Sequence, residues 1–169
     1  MNYDDVFKQK EYNLLDKNRI KQVQDWLIKG DSILDVGCGR GHYLRTLIKA
    51  GYAPVGIEPS QHVIKHDLKN LPVIHGAISD IEDYYDALYC MDVLEHIDPE
   101  EIDQNLAKLS RHADKALYGI ANHSDIWDGV ELHLIQQPAA WWFEKLQKYY
   151  SEVSIVEQGY RFNMFECYI

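Results

Sequence analysis

Three glycines at alternate positions, Gly37, Gly39 and Gly41, follow the run Ile33-Leu34-Asp35-Val36 and precede an amphipathic run from His42 to Ala50. An apolar, β-branched run that ends in a glycine turn and a helix leaves bare backbone against which a ligand can lie, the pattern of a nucleotide pocket. Asp35 places a carboxylate where a dinucleotide-binding fingerprint stays apolar, and that fingerprint's third glycine would fall at His42, not Gly41. An NAD site is therefore a poor match. Glu58 ends a second short run, Ala53-Pro54-Val55-Gly56-Ile57, where a carboxylate can accept two hydrogen bonds from vicinal ribose hydroxyls. His62 and His66 have the i, i+4 spacing that can chelate a cation on a helix, but no third ligand is evident nearby, so no metal site is expected.

These groups need elements to hold them. Asp16 reads as the N-cap of a helix carrying Ile20, Val23 and Leu27, with Gly30 as its stop, and Ser60 as the cap of a short helix running to about Leu68. Pro72-Val73-Ile74-His75 and Tyr85–Met91 read as strands. Asp98-Pro99-Glu100-Glu101 predicts a helix N-cap, first position and acidic first turn ahead of Ile102, Leu106 and Leu109. Ala116–Ala121 is a further strand, and the pairing of each strand with a following helix predicts a mostly parallel, doubly wound α/β sheet. Trp142, Leu146 and Tyr149 share a helical face and read as core, whereas Trp141 points elsewhere. Val153–Val156 and Phe162–Tyr168 form two last strands around Gly159.

The chain has 169 residues, 46% of them hydrophobic, enough for one domain with one core. Its net charge of −10 disfavours a phosphate-binding face, so nucleic acid is not an expected partner. Cys38, Cys90 and Cys167 are widely spaced and lie in or beside apolar runs, as reduced thiols of a cytoplasmic protein would. The polar start Met1-Asn2-Tyr3-Asp4-Asp5 has no targeting core, and no run approaches the roughly 20 apolar residues of a membrane span.

At Asp35-Val36-Gly37-Cys38-Gly39-Arg40-Gly41 the chain resembles the class I S-adenosylmethionine-dependent methyltransferases, whose first motif is a strand ending in Asp-x-Gly-x-Gly-x-Gly. Asp92-Val93-Leu94-Glu95-His96-Ile97 resembles the Val-Leu-Glu-His signature of a subgroup acting mainly on small molecules, and His133-Leu134 with Trp141-Trp142 resembles a later stretch of its members. The resemblance covers nearly the whole chain. It implies a Rossmann-like seven-stranded sheet over residues 31–169 with an antiparallel last strand, preceded by an N-terminal cover segment and helix over residues 1–30. It further implies S-adenosyl-L-methionine as cofactor, held by Asp35, Gly37, Cys38, Gly39, Gly41, Glu58, Pro59, Ala77, Ile78, Met91 and Asp92. Tyr12 would either cover the methionine end of that ligand or anchor the N-terminal segment. Many relatives have an aspartate where this chain has Ala77, so adenine would be held by backbone at Ala77 and Ile78 or by Asp80.

The implied reaction is in-line transfer of a methyl group to an O or N atom of a small-molecule acceptor. A hydroxyl acceptor needs a base, and a histidine titrating near neutrality suits that task, with His133 first and His96 and His123 behind it. Each of the three also has a plain structural reading as a hydrogen-bonding loop residue, and an amine acceptor would need none of them. A catalytically inactive or partner-dependent binding subunit is the alternative, suggested by Ala77 and the short N-terminal cover segment; a nucleotide-dependent oxidoreductase is disfavoured by Asp35 and His42.

Overall fold

The computed structural model describes residues 3–8 and 16–169. Tyr12 lies outside the described residues, so its two readings are not addressed by the structure. Helix α1 spans Tyr3–Phe7 and α2 spans Lys17–Trp26; the Asp16 side chain accepts from the Asn18 and Arg19 N–H groups, as its capping position requires. Strand β1 (Ile33–Val36) is buried throughout and passes through the glycine turn into α3 (His42–Lys49). Then follow β2 (Pro54–Glu58), α4 (Gln61–His66), β3 (Val73–His75) and β4 (Tyr85–Met91). Ser60 caps α4 by accepting from the Val63 N–H.

The helix expected from Asp98 begins later. Helix α5 spans Ile102–Ser110. Asp98 instead closes a turn ahead of it, its side chain accepting from the Glu100 N–H at 2.9 Å and its carbonyl from the Glu101 N–H at 2.8 Å. An aspartate that folds its own backbone into a turn competes with helix initiation, and here the turn wins. Strand β5 (Ala113–Ala121) is followed by a two-stranded hairpin that the sequence did not suggest, β6 (Ile126–Trp127) and β7 (Val130–Glu131). Its turn holds Asp128 and Gly129 at φ of +48° and +77°, left-handed conformations favoured by Asp-Gly in tight hairpins.

Helix α6 (Ala139–Leu146), β8 (Glu152–Gln158) and β9 (Phe162–Tyr168) complete the chain. The main sheet has the order β3-β2-β1-β4-β5-β9-β8, with β1 to β5 parallel and β9 antiparallel to both neighbours. Alternate strand residues feed two apolar layers. Leu106, Leu109, Trp142 and Leu146 pack with Leu88 and Tyr118 in one, while Val23, Leu27 and Leu47 pack with Ile33 and Tyr89 in the other. Trp142 and Leu146 are core as expected, but the second tyrosine of the pair, Tyr150, is buried in place of Tyr149. The Tyr150 hydroxyl meets that of Tyr118 at 2.5 Å, whereas Tyr149 donates to Asp103 at the surface. A buried phenol needs a polar partner, and only Tyr150 finds one inside. No helix among the described residues is long and apolar enough to cross a membrane.

Candidate active site

Because β1, β2 and β4 are parallel neighbours, Asp35, Glu58 and Met91 come to one rim of the sheet, where open α/β sheets bind ligands. Gly37, Gly39 and Gly41 turn there at φ of +67°, +49° and +72°. The loop's N–H groups are turned inward. Those of Gly37 and Cys38 donate to the Ile57 carbonyl at 2.9 and 3.1 Å, and that of Gly41 to the Cys38 carbonyl at 2.9 Å. The Gly39 N–H donates to Glu58 Oε2 at 2.9 Å, while Glu58 Oε1 accepts from the Ser60 N–H at 2.8 Å. Glu58 is thus a brace between β2 and the glycine loop, and each of its oxygens retains a lone pair for a ligand. Burial raises its pKa, opposed by the Ser60 and Gly39 N–H groups.

Two cavities flank the loop. The larger, of about 310 Å³, is lined by Gly37, Gly39, Glu58, Pro59, Ala77, Ile78 and Asp92, with Phe7 of α1 and His96 at its walls. The smaller, of about 60 Å³, is lined by Asp16, Arg19, Asp35, Cys38, Tyr43, Met91 and Asp92, and it shares Gly37 and Asp92 with the first. Every residue read as a cofactor contact and described in the structure therefore borders one of these spaces, except Gly41, which stands at the head of α3. Ala77 offers no side-chain acceptor, and its N–H is already taken by Asp80 Oδ2 at 2.8 Å. Asp35 is 3% exposed and its Oδ2 has no hydrogen-bond partner; burial, opposed by the neighbouring Tyr89 hydroxyl and reinforced by the Glu58 charge, pushes its pKa up to about 8.

The three histidines assemble beside this rim. The His96 and His133 rings lie 4.7 Å apart between centroids, and those of His123 and His133 4.9 Å apart. His96 Nδ1 is 3.0 Å from the Leu132 carbonyl and His133 Nδ1 is 2.5 Å from the His123 carbonyl. A carbonyl only accepts, so Nδ1 carries a proton in both rings, and His133 Nε2 lies 3.9 Å from Asp125 Oδ2. Burial drives the His96 pKa down to about 4, which keeps it neutral at physiological pH. Of the three, His96 borders the large cavity, His133 is buried just behind it, and His123 lies outermost, its Nδ1 on the Ser124 carbonyl at 2.9 Å. Hairpin β6–β7 sets this arrangement, since Glu131 accepts from the Asp125 and His133 N–H groups at 2.8 and 3.0 Å.

Two residues that sequence reasoning did not assign to the site belong to its walls. Arg19 reaches from α2 to Asp92 Oδ2 at 2.6 Å and stacks 3.6 Å from the Phe162 ring centroid. A lone arginine on an amphipathic helix carries no signal for that role. Glu95 is fully buried, with Oε1 accepting from the Ala121 N–H at 2.8 Å and Oε2 unpartnered. Its place inside the Asp92–Ile97 motif was visible, but its direction toward β5 was not.

Comparison with known proteins agrees with this geometry. A methyltransferase-domain family model matches residues 8–163. A ubiquinone biosynthesis O-methyltransferase of Coxiella burnetii is 30% identical over 129 residues, covering 69% of this chain and 55% of that protein. The chain thus spans about half the length of the curated relatives it matches. Among solved structures, a SAM-dependent methyltransferase from Archaeoglobus fulgidus has a TM-score of 0.74 at 15% identity, covering 90% of this chain and 92% of that one. Magnesium protoporphyrin IX methyltransferase from Synechocystis PCC 6803, solved with bound S-adenosylmethionine, has a TM-score of 0.68 at 18% identity, covering 98% and 79%. These two establish the shared fold. With the family model spanning most of its length and the glycine loop, Glu58 and the Asp92–Ile97 turn on one rim, the chain belongs to the methyltransferase-domain family.

Proposed function

We propose that this protein is an S-adenosylmethionine-dependent methyltransferase acting on a hydroxyl of a small-molecule acceptor. The observation that carries the reading is the inward bonding of the glycine loop: the Gly37, Cys38, Gly39 and Gly41 N–H groups all have internal partners. A phosphate cradle needs such groups to point outward. A nucleoside without phosphates, bearing instead a ribose diol and an amino-acid end, matches what the walls offer.

The residues fit that ligand. Glu58 keeps acceptor capacity for vicinal ribose hydroxyls, Asp35 presents an unpartnered buried carboxylate oxygen suited to an ammonium group, and Arg19 supplies a guanidinium suited to a carboxylate. Ala77 and Ile78 line the cavity where the flat apolar base would lie. When bound, S-adenosylmethionine supplies a methyl group on a positively charged sulfur and leaves as a neutral thioether. The protein's part is chiefly positional, since correct orientation removes about 7–11 kcal/mol of barrier. His133, its ring oriented by the Nδ1 bond to the His123 carbonyl, accepts the acceptor's proton at Nε2, with His96 as the neighbouring imidazole. Phe7 of α1, buried against the cavity, shields that wall from water. The O-methyltransferase relatives support an oxygen acceptor.

Calorimetric titration with S-adenosylmethionine and, separately, with NAD tests this reading. Glu58→Gln is the suitable control, because Glu58→Ala would also strip partners from the Gly39 and Ser60 N–H groups. Binding of S-adenosylmethionine at least about tenfold tighter than NAD, weakened in the variant, is expected. Tighter NAD binding overturns it. Absence of binding in folded, ligand-stripped protein replaces it with the partner-dependent reading.

A further inference from the structure

Beyond Glu58 and the glycine loop, the large cavity takes walls from three further segments: Ala77 and Ile78 after β3, Ile97 and Asp98 after β4, and Glu101 and Asn105 at the start of α5. Ile78 and Ile97 offer apolar surface to a flat ring. A purine base also carries hydrogen-bonding atoms along one edge, and enclosing them without partners is costly. In adenine that edge is an amino donor beside a ring-nitrogen acceptor. The wall holds a matching donor, because the Ile78 N–H, first in the short turn Ile78–Asp80, has no main-chain acceptor. No side-chain acceptor for the amino group stands at Ala77, and Asp80 Oδ2 is engaged by the Ala77 N–H at 2.8 Å.

Asn105 supplies that acceptor. Its Nδ2 donates to the Glu101 carbonyl at 2.9 Å, and since only the nitrogen of a side-chain amide can donate, this bond fixes how the group is turned. Oδ1 is then left without a partner among the described residues. Ile102 and Leu106, on either side of Asn105 along α5, are buried in the core and fix the position of its backbone. Asp98 and Glu101 also border the cavity, but both are exposed, whereas Asn105 is half-buried. An exposed carboxylate exchanges water for a ligand and must be ordered to do so; a pinned amide is already in place.

We propose that Asn105 selects the base of the bound nucleoside, its Oδ1 accepting from the amino group of adenine while the Ile78 N–H donates to the adjacent ring nitrogen. The inference rests on the S-adenosylmethionine reading of the cavity. Hypoxanthine, which has a carbonyl in place of the amino group, turns an acceptor toward Oδ1 and an N–H toward the Ile78 N–H, so both contacts become repulsive. Selection thus comes from one neutral amide on α5 and one main-chain group after β3, with no carboxylate.

Calorimetric titration of the full chain with S-adenosylhomocysteine and with S-inosylhomocysteine tests this assignment. The wild-type protein should bind the first at least about tenfold tighter. Asn105→Ala should weaken S-adenosylhomocysteine by about tenfold or more and leave S-inosylhomocysteine nearly unchanged, so the ratio between them falls. Asn105→Ser should lose the ratio in the same way, because its hydroxyl can keep the bond to the Glu101 carbonyl but is too short to replace Oδ1; it carries the decision where the alanine variant does not fold. Equal weakening of both ligands makes Asn105 a structural residue and overturns the proposal. A wild-type ratio near one, an unchanged ratio in the folded variants, or a ratio lost in Glu101→Gln and kept in Asn105→Ser also overturns it. Failure of the wild-type protein to bind either ligand overturns the S-adenosylmethionine reading itself, whereas tight binding of S-adenosylhomocysteine with selectivity intact in both variants removes only Asn105.

Discussion

Arg19 on α2 and Asp92 after β4 form a 2.6 Å ion pair across 73 residues of sequence, and Asp92 holds a left-handed φ of +54° at that point. A non-glycine residue in this region is held there by its surroundings, here by the guanidinium and by the bond from the Asp92 N–H to the Gly119 carbonyl at 2.8 Å. The pair closes one side of the smaller cavity. Arg19→Ala should lower stability by only about 1 kcal/mol, because the pair is partly exposed, yet weaken S-adenosylmethionine binding by roughly 10-fold or more through loss of a charge-assisted contact. Thermal melting and calorimetry of the same variant separate the two effects. A stability loss without an affinity loss would remove Arg19 from the ligand site.

Gly37 cannot take a side chain. A Cβ there would lie 2.5 Å from Val93 Cγ2, at a φ of +67°. Gly37→Ala should cost about 1–3 kcal/mol and abolish cofactor binding. Adding Val93→Ala relieves the clash but not the backbone conformation, so the double variant should recover part of the stability and little of the binding. Denaturant unfolding checks the first and calorimetry the second.

Asp35 gives a pH dependence with a definite sign. Burial lifts its folded pKa to about 8, above the ordinary aspartate value of 3.8, so between those values the folded state holds a proton that the unfolded state has lost. Stability therefore falls as pH rises from about 4 to about 8 and levels off above, and Asp35→Asn should flatten that slope. Ammonium binding at Asp35 would favour the ionised form, so cofactor binding near pH 7 should release up to one proton. Titrations in buffers of different ionisation enthalpy measure this; identical heats across buffers would place the ammonium elsewhere.

Arg40, between the second and third glycines, ties the loop to α1. It donates to the Phe7 carbonyl at 2.5 Å and to Asp67 at 2.9 Å. Arg40→Ala should raise hydrogen exchange across residues 3–8 and speed cofactor release, while the melting temperature moves by only a few degrees. Unchanged exchange in that segment would show that α1 is held by other contacts, such as the Asp4 bonds to the Ser60 hydroxyl and the His62 N–H.

Much of this is legible in the sequence because it is local. The Asp16 and Ser60 caps, the glycine turn after Val36 and the alternation of strands with helices each depend on neighbours within a few residues. The helix expected from Asp98 forms but starts at Ile102, again for a local reason: a capping residue and a turn residue look alike until one backbone geometry is chosen. The hairpin Ile126–Glu131 escaped because two-residue strands carry no period to detect, although Asp128-Gly129 marked its turn.

The sequence by itself determined the strand order's raw material, the ligand loop and the carboxylates at the strand ends, since a parallel sheet brings successive strand ends to one rim whatever lies between. Only the tertiary structure decided which residues from distant segments face each other. Glu95, His96 and His133 meet because the chain after β7 folds back against the β4 end, with Ile135 N–H on the Glu95 carbonyl and Leu132 O on His96. Arg19 reaches Asp92 because α2 packs across the sheet. Such contacts are set by the sum of packing over the whole core, and no window of sequence contains that sum.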